Sequence, residues 1–121
     1  MKWLVVVAHG SRRHGSNEEV RALTERMGML CKEKFDRVSC AFLELAEPSI
    51  PDEVELAITQ GAKEVIVLPY FLSAGRHVAI DIPDEVAKTT CRYPNAVVRI
   101  APYLGSCEEI PSMLLQLVID L

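Results

Sequence analysis

Four short apolar runs recur along the chain, each followed by a polar loop and then by residues at helical spacing. The first, Trp3 to Ala8, is unbroken, as expected of a strand buried on both faces. The others are Val38 to Leu43, Val65 to Leu68 and Ala96 to Ile100, with the length and β-branched content of strands. After the first run, Val20, Leu23, Met27, Leu30 and Cys31 repeat every three or four residues. That spacing predicts the inner face of a helix ending near Phe35, with Ser16 as its cap, Glu18 and Glu19 near its positive end, and Gly28 at a place of close packing. A second helix, capped by Asp52 or Ser49, runs through Val54, Ala57 and Ile58 to about Gly61. A third spans about Pro83 to Thr90, with Asp81 and Pro83 as its start. The last carries Ile110, Leu114, Leu117, Val118 and Leu121, and Ser106 with Glu109 matches a capping box. It is apolar nearly all round, which fits either a well-buried helix or a contact with another subunit.

Strand and helix alternate four times. This predicts an α/β fold: a four-stranded parallel sheet flanked by helices on both faces, with right-handed crossovers. At 121 residues the chain makes one domain, 1–121, large enough for a real core. The net charge of −4 argues against nucleic acid as a partner, though not against a local basic patch. No apolar run approaches the roughly 20 residues of a membrane span. The apolar N-terminus gives way at once to His9-Gly10-Ser11-Arg12-Arg13, so it reads as a strand rather than a signal peptide, and the expected location is the cytoplasm. Cys31, Cys40, Cys91 and Cys107 form no Cys-x-x-Cys pair and are expected to be free and mostly buried.

Open parallel sheets bind ligands beyond the carboxyl ends of their strands. That rule brings the polar residues to one edge. His9, Ser11, Arg12 and Arg13 follow the first strand, and Glu44 the second. The stretch Pro69 to Pro83 follows the third, with Tyr70, Phe71, Ser73, Gly75, Arg76 and His77; Tyr103 follows the fourth. A strand-to-helix connection needs only about two to six residues, so the longer stretch suggests a site. Two histidines and a carboxylate from three strand ends can meet around a divalent ion, and imidazole with carboxylate suits cobalt, nickel, iron or zinc. Plainer roles also fit: His9 bonding its own loop, Glu44 and Glu47 as surface or capping charges, a solvated His77, Phe71 in the core, an exposed His14. No Gly-x-Gly-x-x-Gly or Gly-x-x-x-x-Gly-Lys-Ser/Thr follows a strand, so the usual phosphate cradle is missing.

Three motifs in order, His9-Gly10-Ser11-Arg12, Phe42-Leu43-Glu44-Leu45-Ala46-Glu47-Pro48-Ser49-Ile50, and Pro69-Tyr70-Phe71-Leu72 with Gly75, His77 and Asp81-Ile82-Pro83, resemble the short-form sirohydrochlorin chelatases, ATP-independent class II cobalto-, nickelo- and ferrochelatases. The resemblance covers nearly the whole chain. It implies a flavodoxin-like chelatase fold, half of the longer two-domain relatives, acting as a homodimer. It implies insertion of a divalent metal, Co²⁺ foremost with Ni²⁺ or Fe²⁺ as alternatives, into sirohydrochlorin, with no cofactor beyond that metal substrate. His9 and His77 map onto the metal-handling and catalytic histidines, and Glu44 onto their acidic partner. Ser11, Arg12, Arg13, Tyr70, Phe71, Ser73, Gly75 and Arg76 are the expected substrate contacts. Arg13-His14-Gly15 stands where the family often has an acidic or proline-containing stretch. Other classes are a metal or tetrapyrrole carrier that binds without insertion, a flavodoxin-like interaction or nucleotide-responsive module, and a phosphatase or mutase using His9 with Arg12, which leaves Glu44 and His77 unexplained.

Overall fold

The computed structural model describes residues 1–31 and 33–121. Four strands, β1 (Lys2–Ala8), β2 (Arg37–Phe42), β3 (Glu64–Pro69) and β4 (Val97–Ile100), form one sheet in the order β2-β1-β3-β4, and every neighbouring pair is parallel. The helices are α1 (His14–Leu30), α2 (Ile50–Thr59), α3 (Ile82–Thr90) and α4 (Ile110–Gln116). A π-helical turn, His77–Asp81, leads directly into α3.

Alternation along β1 divides the core into two layers. Trp3, Val5 and Val7 face Val54, Ala57, Ile82 and Val86 of α2 and α3, while Leu4, Val6 and Ala8 face Cys40, Phe42 and the α1 residues Val20 and Met27. Each fully buried Val, Ile or Phe among them contributes roughly 1.5–3 kcal/mol, so the two layers hold the strand ends in a fixed relation. Gly28 lies against Val38, the close packing its position suggests. Ser49 caps α2, its Oγ accepting from the Asp52 N–H at 3.2 Å.

The boundaries of three helices depart from expectation. α1 starts at His14 with Arg13 at its cap, so Ser16 lies inside the first turn and caps nothing. It ends at Leu30, which is exposed, and its buried residues include Asn17 and Thr24. Thr24 is admitted because its hydroxyl donates back to the Val20 and Arg21 carbonyls, both at 2.8 Å. The third helix does not wait for Pro83: helical backbone begins at residue 75 and passes through the π turn, with Asp81 inside it rather than capping it. At the C-terminus the capping box does not form. Ser106 belongs to a 3₁₀ turn, Leu104–Ser106, and its Oγ donates to the Tyr103 carbonyl at 2.7 Å, while Glu109 precedes α4 with no side-chain cap. Nor is α4 buried: residues 111–121 are all exposed, including Leu114 at 59% and Leu117 at 75%.

All four cysteines are free, but only Cys40 is buried; Cys31 is half-buried, and Cys91 and Cys107 are exposed. Burial raises the Cys40 thiol pKa, which keeps it in its unreactive form.

Glu53 is a buried carboxyl on α2, 6% exposed. Ser39 bridges it to the indole of Trp3, whose Nε1–H donates to Ser39 Oγ at 2.8 Å. Burial raises the Glu53 pKa above its ordinary 4.5, against the opposing pull of the Ser39 hydrogen bond. A carboxyl raised on folding favours the native state below its unfolded value, and that contribution is lost as pH climbs through the folded value. Glu53→Gln, neutral at every pH, should therefore stabilise the protein by about 1 kcal/mol at pH 8 and by much less near pH 4.5. Thermal denaturation at the two pH values measures the difference, and an equal gain at both would contradict it.

Candidate functional site

The loops after β1 and β2 are zipped together by their backbones. The Leu43 N–H donates to the Ala8 carbonyl at 2.9 Å, and the Glu44 N–H to the His9 carbonyl at 3.0 Å. Gly10 sits at φ +93°, and a Cβ there would overlap the Glu44 carbonyl oxygen. Glycine alone permits both the angle and the approach. Leu45, just beyond, is at φ +65°, an uncommon conformation for a branched side chain. The buried Asn17 fastens the other end of the loop: its Oδ1 accepts from the Ser11 N–H at 2.9 Å and its Nδ2 donates to the Ser11 carbonyl at 2.8 Å. The Ser11 N–H is thus already used and is not free to receive a ligand carboxylate. Asn17 was not expected in the site; the signal for it was a polar side chain on a turn that faces the sheet edge.

The loop after β3 begins with the Tyr70 N–H donating to the Val7 carbonyl at 2.8 Å. The Gly105 N–H donates to the Phe71 carbonyl at 3.0 Å, and Gly105 lies so close to the Leu72 carbonyl that a Cβ would overlap it. The loop proper is short, residues 70–74, so the length that suggested a site is largely helix. In the π turn the Ile82 N–H reaches back to the His77 carbonyl. Pro83 follows, with no N–H to continue a regular ladder. Single π turns inside helices are frequent at functional sites.

These loops bring His9 and His77 together, edge against face, with ring centroids 4.7 Å apart and an interplanar angle of 70°. Each ring is about half exposed. His9 Nδ1 lies 3.0 Å from the Gly10 carbonyl, which can only accept, so that nitrogen carries a proton. Its Nε2 lies 3.1 Å from Glu44 Oε2. The ring nitrogen and the carboxylate oxygen thus stand side by side as possible donors to one cation. His77 Nδ1 lies 2.9 Å from Asp81 Oδ2, and the ring of Phe71 is 6.3 Å from that of His77. An open cleft of about 410 Å³ adjoins the pair, lined by Leu43, Glu44, His77, Asp81, Asp84, Glu85 and Lys88. Its walls carry more acid than base.

His9 touches both Glu44 and His77, but among the described residues no three His, Cys, Asp or Glu side chains stand ready to hold a metal ion. The expected trio is present as two adjoining pairs. Arg12, Arg13, Ser73 and Gly75 are exposed, and none of them lines this cleft. Arg76 is exposed too, its Nε 3.7 Å from Asp81 Oδ1. Tyr70 is exposed, whereas Phe71 is half-buried against the core. His14 lies on α1 with Nε2 3.5 Å from Glu18, and Glu47 offers its carbonyl to Arg21 at 2.8 Å. No helix among the described residues is long and apolar enough to cross a membrane.

The chain is similar to known proteins over most of its length. Over 111 residues the chain is 30% identical to a sirohydrochlorin cobaltochelatase of Sulfolobus acidocaldarius, covering 92% of this chain and 85% of that protein. It is 40% identical over 104 residues to the chloroplastic sirohydrochlorin ferrochelatase of Arabidopsis thaliana, covering 84% of this chain and 44% of that one. The chain spans about half the length of several of the curated relatives it matches, the Arabidopsis protein among them. Among solved structures, the sirohydrochlorin chelatase SirB from Bacillus subtilis subspecies spizizenii in complex with cobalt superposes with a TM-score of 0.87 at 29% identity, over 99% of this chain and 50% of that one. A cobalamin (vitamin B12) biosynthesis CbiX protein from Marinobacter aquaeolei VT8 superposes at 0.82 with 27% identity, over 99% and 96%. The CbiX family model matches residues 3–121, and the chain belongs to the CbiX family.

Proposed function

We propose that this chain inserts a divalent metal, cobalt or iron in keeping with the names of its relatives, into sirohydrochlorin without ATP, acting as a homodimer. The observation that carries the reading is the His9–His77 pair, with Glu44 beside it, at the carboxyl edge of the sheet. Insertion exchanges two pyrrole N–H protons for one M²⁺ and strips water from the ion. A site that held the ion through three or four strong ligands would keep it. Two imidazoles and one exposed carboxylate would hold it weakly and let the ring nitrogens take over. A neutral histidine can also accept a departing proton near neutral pH, and Glu44 stabilises the imidazolium that results. Acid on the cleft walls favours a cation, and Arg12, Arg13 and Arg76 outside it suit the carboxylates on the rim of the tetrapyrrole. An anaerobic visible-absorbance assay with sirohydrochlorin and Co²⁺, Fe²⁺ or Ni²⁺ tests the proposal. Multiple turnovers above the spontaneous rate support it; a spectral change that stops at one equivalent means a carrier, and none with any metal means neither.

The dimer rests on α4, whose apolar side chains meet water on every side in the single chain. A stretch of this kind marks a contact surface. The wild type should sediment as a dimer at micromolar concentration, and Leu114→Glu with Leu117→Glu as a folded monomer of lower Tm. A monomeric wild type would refute the pairing.

A further inference from the structure

We infer that Asp81 is a positioning residue for His77, fixing the proton on Nδ1 so that Nε2 is the nitrogen offered to the metal. The inference rests on the proposed metal-handling role of His77 for its meaning, although not for its test. The carboxylate of Asp81 divides its oxygens: Oδ2 lies 2.9 Å from His77 Nδ1, and Oδ1 lies 3.7 Å from Arg76 Nε. A carboxylate only accepts, so Nδ1 must donate and the lone pair of a neutral ring falls on Nε2. The partner comes from within the same helix. The π turn spans His77 to Asp81, and α3, anchored by the fully buried Ile82, holds it against the core. His9 reaches the same tautomer through a different partner, the Gly10 carbonyl. Both rings thus turn Nδ1 toward an acceptor, while Nε2 of His9 faces the Glu44 carboxylate. Asp81 itself is part-buried, its side chain 29% exposed, with both oxygens directed to His77 and Arg76.

The test reads the tautomer directly. In metal-free, uniformly ¹⁵N-labelled protein at pH 8, two-bond ¹H–¹⁵N correlations should show His77 as a single species protonated at Nδ1. In Asp81→Ala the signal should move toward the Nε2–H form favoured by free histidine, while His9 keeps its pattern. Metal insertion in that variant should lose about tenfold in kcat, with KM for sirohydrochlorin unchanged. A wild-type His77 protonated at Nε2 would overturn the inference, and so would an Asp81→Ala spectrum identical to wild type or a loss confined to KM. If Asp81→Ala fails to fold, the wild-type spectrum still decides. If the protein turns over no metal, the tautomer result stands apart from that failure.

Discussion

Removing either imidazole, as His9→Ala or His77→Ala, should lower the rate of metal insertion by about a hundredfold or more while leaving the fold intact. The catalytic part follows from the proposed division of labour, one ring to hold the ion and one to take a proton, proton transfer alone being worth roughly 10²–10⁴ in rate. The structural part follows from exposure. Both rings are about half in water, and neither belongs to the two core layers, so truncation should cost no more than about 1 kcal/mol. The rings touch, so their effects should not add; the double variant should be little slower than the worse single one. Glu44→Gln should fall between, because it keeps the shape beside His9 Nε2 and loses only the charge. Initial rates under anaerobic conditions, alongside thermal denaturation of each variant, check all three. A histidine variant that retains more than about half the wild-type rate would remove that ring from the chemistry.

How far the sequence alone foreshadowed this site depends on which physical signal each element carries. The strands were legible because unbroken apolar runs such as Trp3 to Ala8 have few other uses, and the carboxyl-edge rule then placed His9, Glu44 and His77 together before any coordinates. The helix starts were less legible, because each is decided by a contact distant in sequence or by a local exception. Arg13-His14-Gly15 reads as loop, yet Asn17 pins Ser11 and the helix begins at His14. Pro83 is a good first-turn residue, and it misled for that reason: the π turn ahead of it absorbs the missing N–H and starts the helix earlier. Asp81 reads as a helix start, while in the fold it partners His77 four residues back. The apolar character of α4 was plain in the sequence. What it meets was not, because a hydrophobic pattern records that a face avoids water and is silent about which surface covers it.

Gly10→Ala should prove as damaging as losing a histidine, although the added methyl group carries no chemistry. The clamp between the first two loops has no slack. Alanine would have to hold φ near +93° and place its Cβ on the Glu44 carbonyl oxygen, so either the His9 loop or the Glu44 loop must move. The backbone conformation alone costs about 1–3 kcal/mol, and the overlap adds to it. A total loss of about 3 kcal/mol is expected, with insertion down about a hundredfold in the molecules that remain folded, because the His9–Glu44 spacing of 3.1 Å is set by this contact. Gly15→Ala, five residues on, is the control. Nothing lies within 4 Å of its added Cβ, and it sits inside α1, where alanine is the better helix former. It should match or exceed wild-type stability and keep full activity. Thermal denaturation and insertion rates of the pair decide the matter. If Gly10→Ala melts with the wild type and turns over as fast, the two loops are free to shift and the His9–Glu44 pair is not held by the backbone.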